Sequence, residues 1–114
     1  MGSDGMGPLQ GTLELVVLRA LEAGDEMHGF GILEWIRTRT EDVLVVEDGA
    51  LYHALHRMSD RGWLDRDWGG SEKGRRARYY RLTDRGRAAL ADEEARWARY
   101  VRAMGRLASG EAAP

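Results

Sequence analysis

The sequence lacks cysteine altogether, and it has no long apolar run. Without cysteine, disulfide bonds and thiolate metal sites are excluded. A membrane-spanning helix needs about 20 consecutive apolar residues, so a membrane partner is not expected. Residues 1–7 show no charged start followed by an apolar stretch, which argues against a signal peptide and favours a cytoplasmic location.

Lysine is scarce as well, and sixteen of the seventeen basic residues are arginine. Arginine offers a planar fork for phosphates and guanine edges, although a GC-rich genome would produce the same bias. The net charge is −2, but it is unevenly distributed. Residues 1–56 hold three basic and ten acidic residues, whereas residues 57–114 hold fourteen basic and nine acidic residues. The second half therefore carries a local positive patch, which matters more for phosphate binding than the sum.

Apolar spacing predicts three helices in the first half of the chain. The first covers residues 12–24, with apolar residues three and four apart and a glycine at its end. The second covers residues 27–40, and the third covers residues 49–61. The third helix has an apolar stripe on one face, and its other face presents short or polar side chains, including Ala50, His53 and Arg57.

Two strands and a long helix are predicted to follow. The strands cover residues 63–68 and 77–82, and the glycine-rich stretch 69–74 joins them as a hairpin tip. Five basic residues between 73 and 81 have no acidic residue among them. Thr83 is a suitable N-cap for the last helix, at residues 84–108.

This order of elements predicts a mostly α fold with a small two-stranded wing, the winged helix-turn-helix, followed by a long C-terminal dimerisation helix. The predicted organisation is a flexible lead at 1–8, a DNA-binding domain at 9–83, the dimerisation helix at 84–108 and a tail at 109–114. The third helix would enter the major groove and the wing would contact the backbone or minor groove. Candidate DNA-contacting residues are Ala50, His53, Arg57, Lys73, Arg75, Arg76 and Arg78.

Four segments resemble the PadR family of transcriptional regulators: Leu-Gln-Gly-Thr-Leu-Glu-Leu at 9–15, His-Gly-Phe-Gly-Ile at 28–32, Glu-Asp-Gly-Ala-Leu-Tyr-His-Ala-Leu-His-Arg-Met at 47–58 and Gly-Arg-Arg-Ala-Arg-Tyr-Tyr-Arg-Leu-Thr at 74–83. The resemblance covers about residues 9–95. It implies a winged helix-turn-helix, a C-terminal dimerisation helix and repression that a small effector relieves. It also implies that Tyr52 and the arginines of 75–78 meet DNA.

Two departures from the family limit what can be carried over. The family often shows Ser-Leu-Tyr-Pro where this chain has Ala50-Leu51-Tyr52-His53, so base preference is not transferred. The C-terminal part is a single helix, the short form, so effector chemistry is not transferred either. Tyr52 could instead pack beside the wing, and His28 could cap a helix or contact DNA.

The last helix carries a heptad-like apolar stripe of Leu90, Trp97, Val101 and Met104. A domain of this size cannot cover the whole stripe, so a second copy of the chain is the expected partner. Trp97 at the seam could bind a small flat aromatic effector, although a packed interface role is the alternative. The predicted function is thus a homodimeric repressor of a palindromic operator in double-stranded DNA.

Other classes of function are weighed against this one. His53 and His56 could chelate a metal, but no third ligand has convincing spacing, so neither a metal nor a cofactor is predicted. No serine and histidine have the spacing of a nucleophile and its base, so the chain is not expected to be an enzyme. The acidity of residues 1–56 favours a protein-interaction adaptor that has lost DNA binding, whereas the arginine-rich wing favours the regulator.

Overall fold

The computed structural model describes residues 5–70 and 76–109. Four helices and three strands make up this part of the chain. In order they are α1 (Leu13–Gly24), β1 (Glu26–His28), α2 (Gly29–Arg39), α3 (Asp48–Asp60), β2 (Leu64–Gly70), β3 (Arg76–Leu82) and α4 (Asp84–Ser109). The winged-helix fold with a long C-terminal helix, predicted from the sequence, is confirmed.

The core forms around α1, which contacts the other three helices, β1 and β3. Its apolar residues at spacings of three and four are buried on several sides, and Val17 and Leu18 are fully inaccessible. Fully burying one such side chain contributes about 1.5–3 kcal/mol. The core is completed by apolar residues of α2, α3, the strands and the start of α4, among them Ile32, Ile36, Leu51, Leu55, Met58, Leu64, Leu82 and Leu90.

The sheet has three antiparallel strands in the order β1-β3-β2. The prediction of a helix from residue 27 is wrong at its start, because Met27 and His28 pair with Tyr80 and Tyr79 of β3. The helix begins only at Gly29, where the His28 Nδ1 accepts a hydrogen bond from the Gly31 amide at 2.9 Å. The capping role considered for His28 is therefore confirmed.

Hydrogen bonds hold the connection between α2 and α3 at several points. Thr40 Oγ1 donates to the carbonyl of Ile36 and accepts from the amide of Leu44. Met6 forms a parallel bridge beside Leu44, with backbone hydrogen bonds of 2.9 Å to Val43 and Val45. Met6, which lies within the lead predicted at 1–8, is thus hydrogen-bonded to this connection, and residues 1–4 lie outside the described residues.

Thr83 sets the start of α4, as predicted. Its Oγ1 accepts from the Gly86 amide at 3.0 Å and donates to the carbonyl of Gly62 at 2.6 Å. Gly86 is buried against the carbonyl of Trp63, in a space that a Cβ atom could not occupy. The first half of α4 then packs on α1, with an ion pair of 2.7 Å between Glu94 and Arg19.

Candidate nucleic-acid interface

Helix α3 presents three distinct sides. Leu51, Ala54, Leu55 and Met58 are buried in the core. Successive residues are about 100° apart around a helix, so His53 lies near the centre of the exposed side. Tyr52 flanks it on one edge, and Ala50 and Arg57 flank it on the other. Ala50, Tyr52 and His53 are all exposed in this chain, as a groove-reading surface requires.

Tyr52 lies at the junction of α3 and α2. Its phenol packs against the backbone of Gly29, since a Cβ built on that glycine would lie 2.5 Å from the Tyr52 Oη. Half of the residue nevertheless remains exposed, at 51%. The packing considered for Tyr52 was beside the wing, whereas this contact is with Gly29 of α2; the exposed half of the residue is open beside the start of both helices.

The wing consists of β2, β3 and the segment that joins them. One face of its two strands changes from apolar to basic along their length. Side chains alternate between faces of a strand, so the register places Leu64 beside Leu82, then Arg66 beside Tyr80, then Trp68 beside Arg78. The first pair lies in the core. The Arg78 guanidinium lies 4.4 Å from the Trp68 ring centroid, a cation–π contact that holds it at the surface.

Tyr80 links this wing face to α3. Burial raises the pKa of the Tyr80 phenol, while the nearby positive charges of Arg78 and Arg66 oppose that rise. Tyr52 is also close enough to raise the Tyr80 pKa. Because α3 also packs on β2, Arg66 and Arg78 of this wing face and Tyr52 of α3 border one surface that continues from the helix onto the wing.

The opposite face of the sheet has a different character. Arg81 there lies 3.7 Å from both Glu26 of β1 and Asp65 of β2, so its charge is balanced by acidic neighbours. The His28 and Tyr79 rings pack edge to face with centroids 5.3 Å apart. Only the Arg66–Arg78 face offers basic side chains to a nucleic acid among the described parts of the two faces.

The predicted DNA-contacting residues divide into four groups. Ala50, Tyr52 and His53 share the exposed side of α3, and Arg78 lies on the continuous wing face. Arg57 is directed toward α1, where its Nε donates to Glu14 at 3.2 Å. Lys73 and Arg75 lie outside the described residues, and the side chain of Arg76 does also.

Three further residues bear on this surface and were missed in the sequence: Arg66 lies on it, and Glu14 and Gly29 contact Arg57 and Tyr52. Arg66 could have been found from strand alternation, because it is two residues before Trp68 on the same face. Glu14 and Gly29 gave no such signal. Their partners Arg57 and Tyr52 lie more than twenty positions away in the sequence, and only the fold brings them together.

The predicted dimer stripe on α4 is divided by the fold. Leu90 departs from that prediction, since it is only 5% exposed within a single chain and packs in its own core. Trp97 is half-buried against the same core. Its ring stacks with that of Tyr100, and the two ring centroids are 5.9 Å apart. Val101 and Met104 are each 47% exposed. Tyr100 and Leu107 extend the exposed apolar surface beyond the predicted residues.

An open groove of about 540 Å³ lies between the segment before α1 and the middle of α4. Trp97 and Tyr100 form its aromatic wall, and Arg96 is paired with Glu93 at 3.1 Å along its edge. The other side is formed by residues 9–12 and Leu15. Trp97 is therefore accessible to a small planar molecule in the single chain.

Neither a metal cluster nor a membrane span is found in residues 5–70 and 76–109. No three metal-ligating side chains converge there, and His56 instead lies 3.5 Å from Asp60 on the same helix. Within the same residues, no helix combines the length and apolar character needed to cross a membrane.

Comparison with known proteins places these features in a family context. Residues 17–92 match the transcriptional regulator PadR-like family. A transcriptional regulator from Clostridium thermocellum is similar over 86% of this chain and 94% of its own, with a TM-score of 0.78 and 24% identity. A PadR family regulator from Clostridium difficile is similar over 85% and 98%, with a TM-score of 0.73 and 25% identity.

A third similar structure is that of Bacillus subtilis PadR in complex with operator DNA. It has a TM-score of 0.64 and 22% identity, over 71% of this chain and 45% of that protein. The shared part is therefore the fold, and the Bacillus subtilis protein extends well beyond it.

Proposed function

Because the chain belongs to the PadR-like family of transcriptional regulators, we propose that it is a homodimeric repressor that binds a palindromic operator in double-stranded DNA. The observation that carries the proposal is the continuous surface formed by the exposed side of α3, which packs on β2, and the Arg66–Arg78 face of the wing. The operator complex of the similar Bacillus subtilis protein supports the same use of the fold.

In this proposal, α3 enters the major groove with Ala50 and His53 toward the base edges. A small residue allows close approach, and an imidazole can donate or accept at a base edge. Tyr52 lies at the groove edge, where its exposed half can contact the DNA backbone. Arg66 and Arg78 bind backbone phosphates along the wing, together with the further basic residues predicted from the sequence to contact DNA, Lys73, Arg75 and Arg76.

The second copy would pack along the exposed half of α4. Tyr100, Val101, Met104 and Leu107 leave an apolar strip in water, and monomers rarely tolerate large patches of this kind. A two-fold axis beside this strip brings the same surface of each copy together. It would also set the two α3 helices about 34 Å apart, one turn of DNA, to match two operator half-sites.

A small planar aromatic effector would release the operator by binding in the groove beside Trp97. Stacking on Trp97 and Tyr100 supplies the contact. Since the groove lies on α4, an occupant that favours one arrangement of the two copies shifts the spacing of the α3 helices. Fluorescence titration of the wild type and a Trp97→Phe variant with planar aromatic compounds tests this step. A response that is the same in both variants contradicts it.

DNA binding is tested by fluorescence anisotropy with two labelled duplexes, the promoter of its own gene and a random sequence, over a series of KCl concentrations. We expect salt-dependent binding to both and tighter binding to the promoter. Absence of binding to either duplex at low salt would reject the regulator and leave the protein-interaction adaptor as the reading of this fold.

A further inference from the structure

Glu14 binds two arginines at the end of α3, the helix proposed to enter the major groove. It lies in the first turn of α1, and its side chain is only 21% exposed. Its Oε2 accepts from the Nε of Arg57 at 3.2 Å, and its Oε1 accepts from the Nη1 of Arg61 at 2.8 Å. Both carboxylate oxygens are thus engaged by arginines one turn apart, Arg57 in the last turn of α3 and Arg61 directly after its last residue, on the edge that also carries Ala50.

Arg61 is also held in this position from a second side. The Arg61 guanidinium also lies 5.0 Å from the ring centroid of Trp63, and the Arg61 carbonyl accepts from Arg85. Arg57 and Arg61 remain about half exposed. Surface ion pairs of this kind contribute little to stability, so a phosphate of DNA can compete with Glu14 for the same guanidinium groups.

Resting on the function proposed above, we propose that Glu14 is a specificity-determining residue that keeps Arg57 and Arg61 from binding DNA phosphates indiscriminately. Base contacts fix the register of α3 on the operator, so a freed guanidinium meets a phosphate there only where that register allows it, whereas on random DNA the protein can shift until both guanidinium groups meet phosphates. A carboxylate that occupies two guanidinium groups therefore lowers binding to random DNA more than binding to the operator. It raises the ratio between the two affinities without touching a base.

The test measures binding of wild type and Glu14→Gln to a labelled random duplex and to the promoter of the protein's own gene. We expect Glu14→Gln to bind the random duplex several-fold more tightly. Its salt dependence should steepen by up to about two units of slope, because each added phosphate contact contributes about 0.9 units. Promoter affinity should rise less, so the specificity ratio falls.

Glu22→Gln is the matched control. It removes the same charge from the exposed far end of the same helix, and should change the random-duplex affinity much less. The triple variant Glu14→Gln, Arg57→Gln, Arg61→Gln should lose the steeper slope, because the gain requires the released arginines. Glu14→Asp keeps the charge but shortens the reach. It should give part of the gain, and it serves if Glu14→Gln folds poorly.

Several results would contradict the proposed role of Glu14. They are an unchanged or weaker random-duplex affinity in Glu14→Gln, an equal gain for both duplexes, an equal effect of Glu22→Gln, or a gain that survives in the triple variant. Wild-type protein that binds neither duplex would instead reject the regulator itself. The two failures are therefore distinguishable in one data set.

Discussion

The two halves of α4 are one continuous helix with opposite surroundings. The half up to Trp97 packs on α1 and the sheet, with Gly86 and Leu90 buried. In the half from residue 98 to residue 109, every residue is exposed. At about 1.5 Å per residue, this second half extends roughly 18 Å. The difference separates the part of α4 that its own chain covers from the part that the proposed second copy would cover.

The strongest test of this comparison makes the same substitution in both halves. Gly86→Ala would push a Cβ into the carbonyl of Trp63, which is backbone and cannot rotate away. Overpacking of this kind costs about 1–3 kcal/mol and occasionally more. This cost exceeds the stabilisation of up to about 1 kcal/mol that is gained by replacing a glycine with alanine in a helix. We expect the melting temperature measured by circular dichroism to fall by about 10 °C.

Gly105→Ala is the matched control in the exposed half. A Cβ there meets nothing within 4 Å, so only the helix propensity changes and the melting temperature should rise slightly. Equal effects of the two variants would mean that the two halves do not differ in packing as described.

The second test addresses what covers the exposed half. Val101→Asp places a charge in the apolar strip, where a partner would have to bury it unpaired. We expect the dimer to dissociate at least about tenfold more readily, which corresponds to about 1.4 kcal/mol, in analytical ultracentrifugation. Ala95→Asp adds the same charge to an exposed position on the opposite side of α4 and should leave assembly unchanged. Wild-type monomers at micromolar concentration would contradict the proposed dimer.

The third test moves the comparison from the helix to the two faces of the wing. Arg66→Ala and Arg78→Ala each remove a charge from the face that continues α3. Each should reduce the salt dependence of binding to random duplexes by about one unit of slope. Arg81→Ala, on the face where Glu26 and Asp65 balance the charge, should reduce it less. The same loss from either face would show that the wing binds only through its net charge.

The sequence predicted the elements well where their pattern is long and periodic. Helix α1 and the wing strands follow apolar spacing and alternation, and Thr83 marks the start of α4 through a local hydrogen bond. The three-residue strand β1 was missed. It is too short to establish alternation, and only pairing with β3, more than fifty residues later, makes it a strand.

The candidate site was predicted less completely, because spacing along one helix does not reveal what lies opposite it. Leu90 and Met104 belong to the same stripe, yet the fold buries the first and exposes the second. Arg57 lies one turn from His53, yet Glu14, more than forty positions earlier, draws its guanidinium toward α1. Both outcomes depend on tertiary neighbours that sequence spacing does not encode.

The smallest expected effect tests a glycine whose neighbour can move. Gly29→Ala would bring a Cβ to 2.5 Å from the Tyr52 Oη, which is the far end of a side chain that can rotate. The fold should therefore tolerate this alanine, unlike that at residue 86, with little change in melting temperature. Displacement of the phenol should weaken promoter binding by a few fold, about 1 kcal/mol.

Gly31→Ala, whose Cβ makes only ordinary contacts with His28 at 3.5 Å, is the control. In a Tyr52→Ala background, Gly29→Ala should have no further effect on binding, since it acts through the displaced ring. An equal loss in that background would mean that the start of α2, rather than Tyr52, makes the contact.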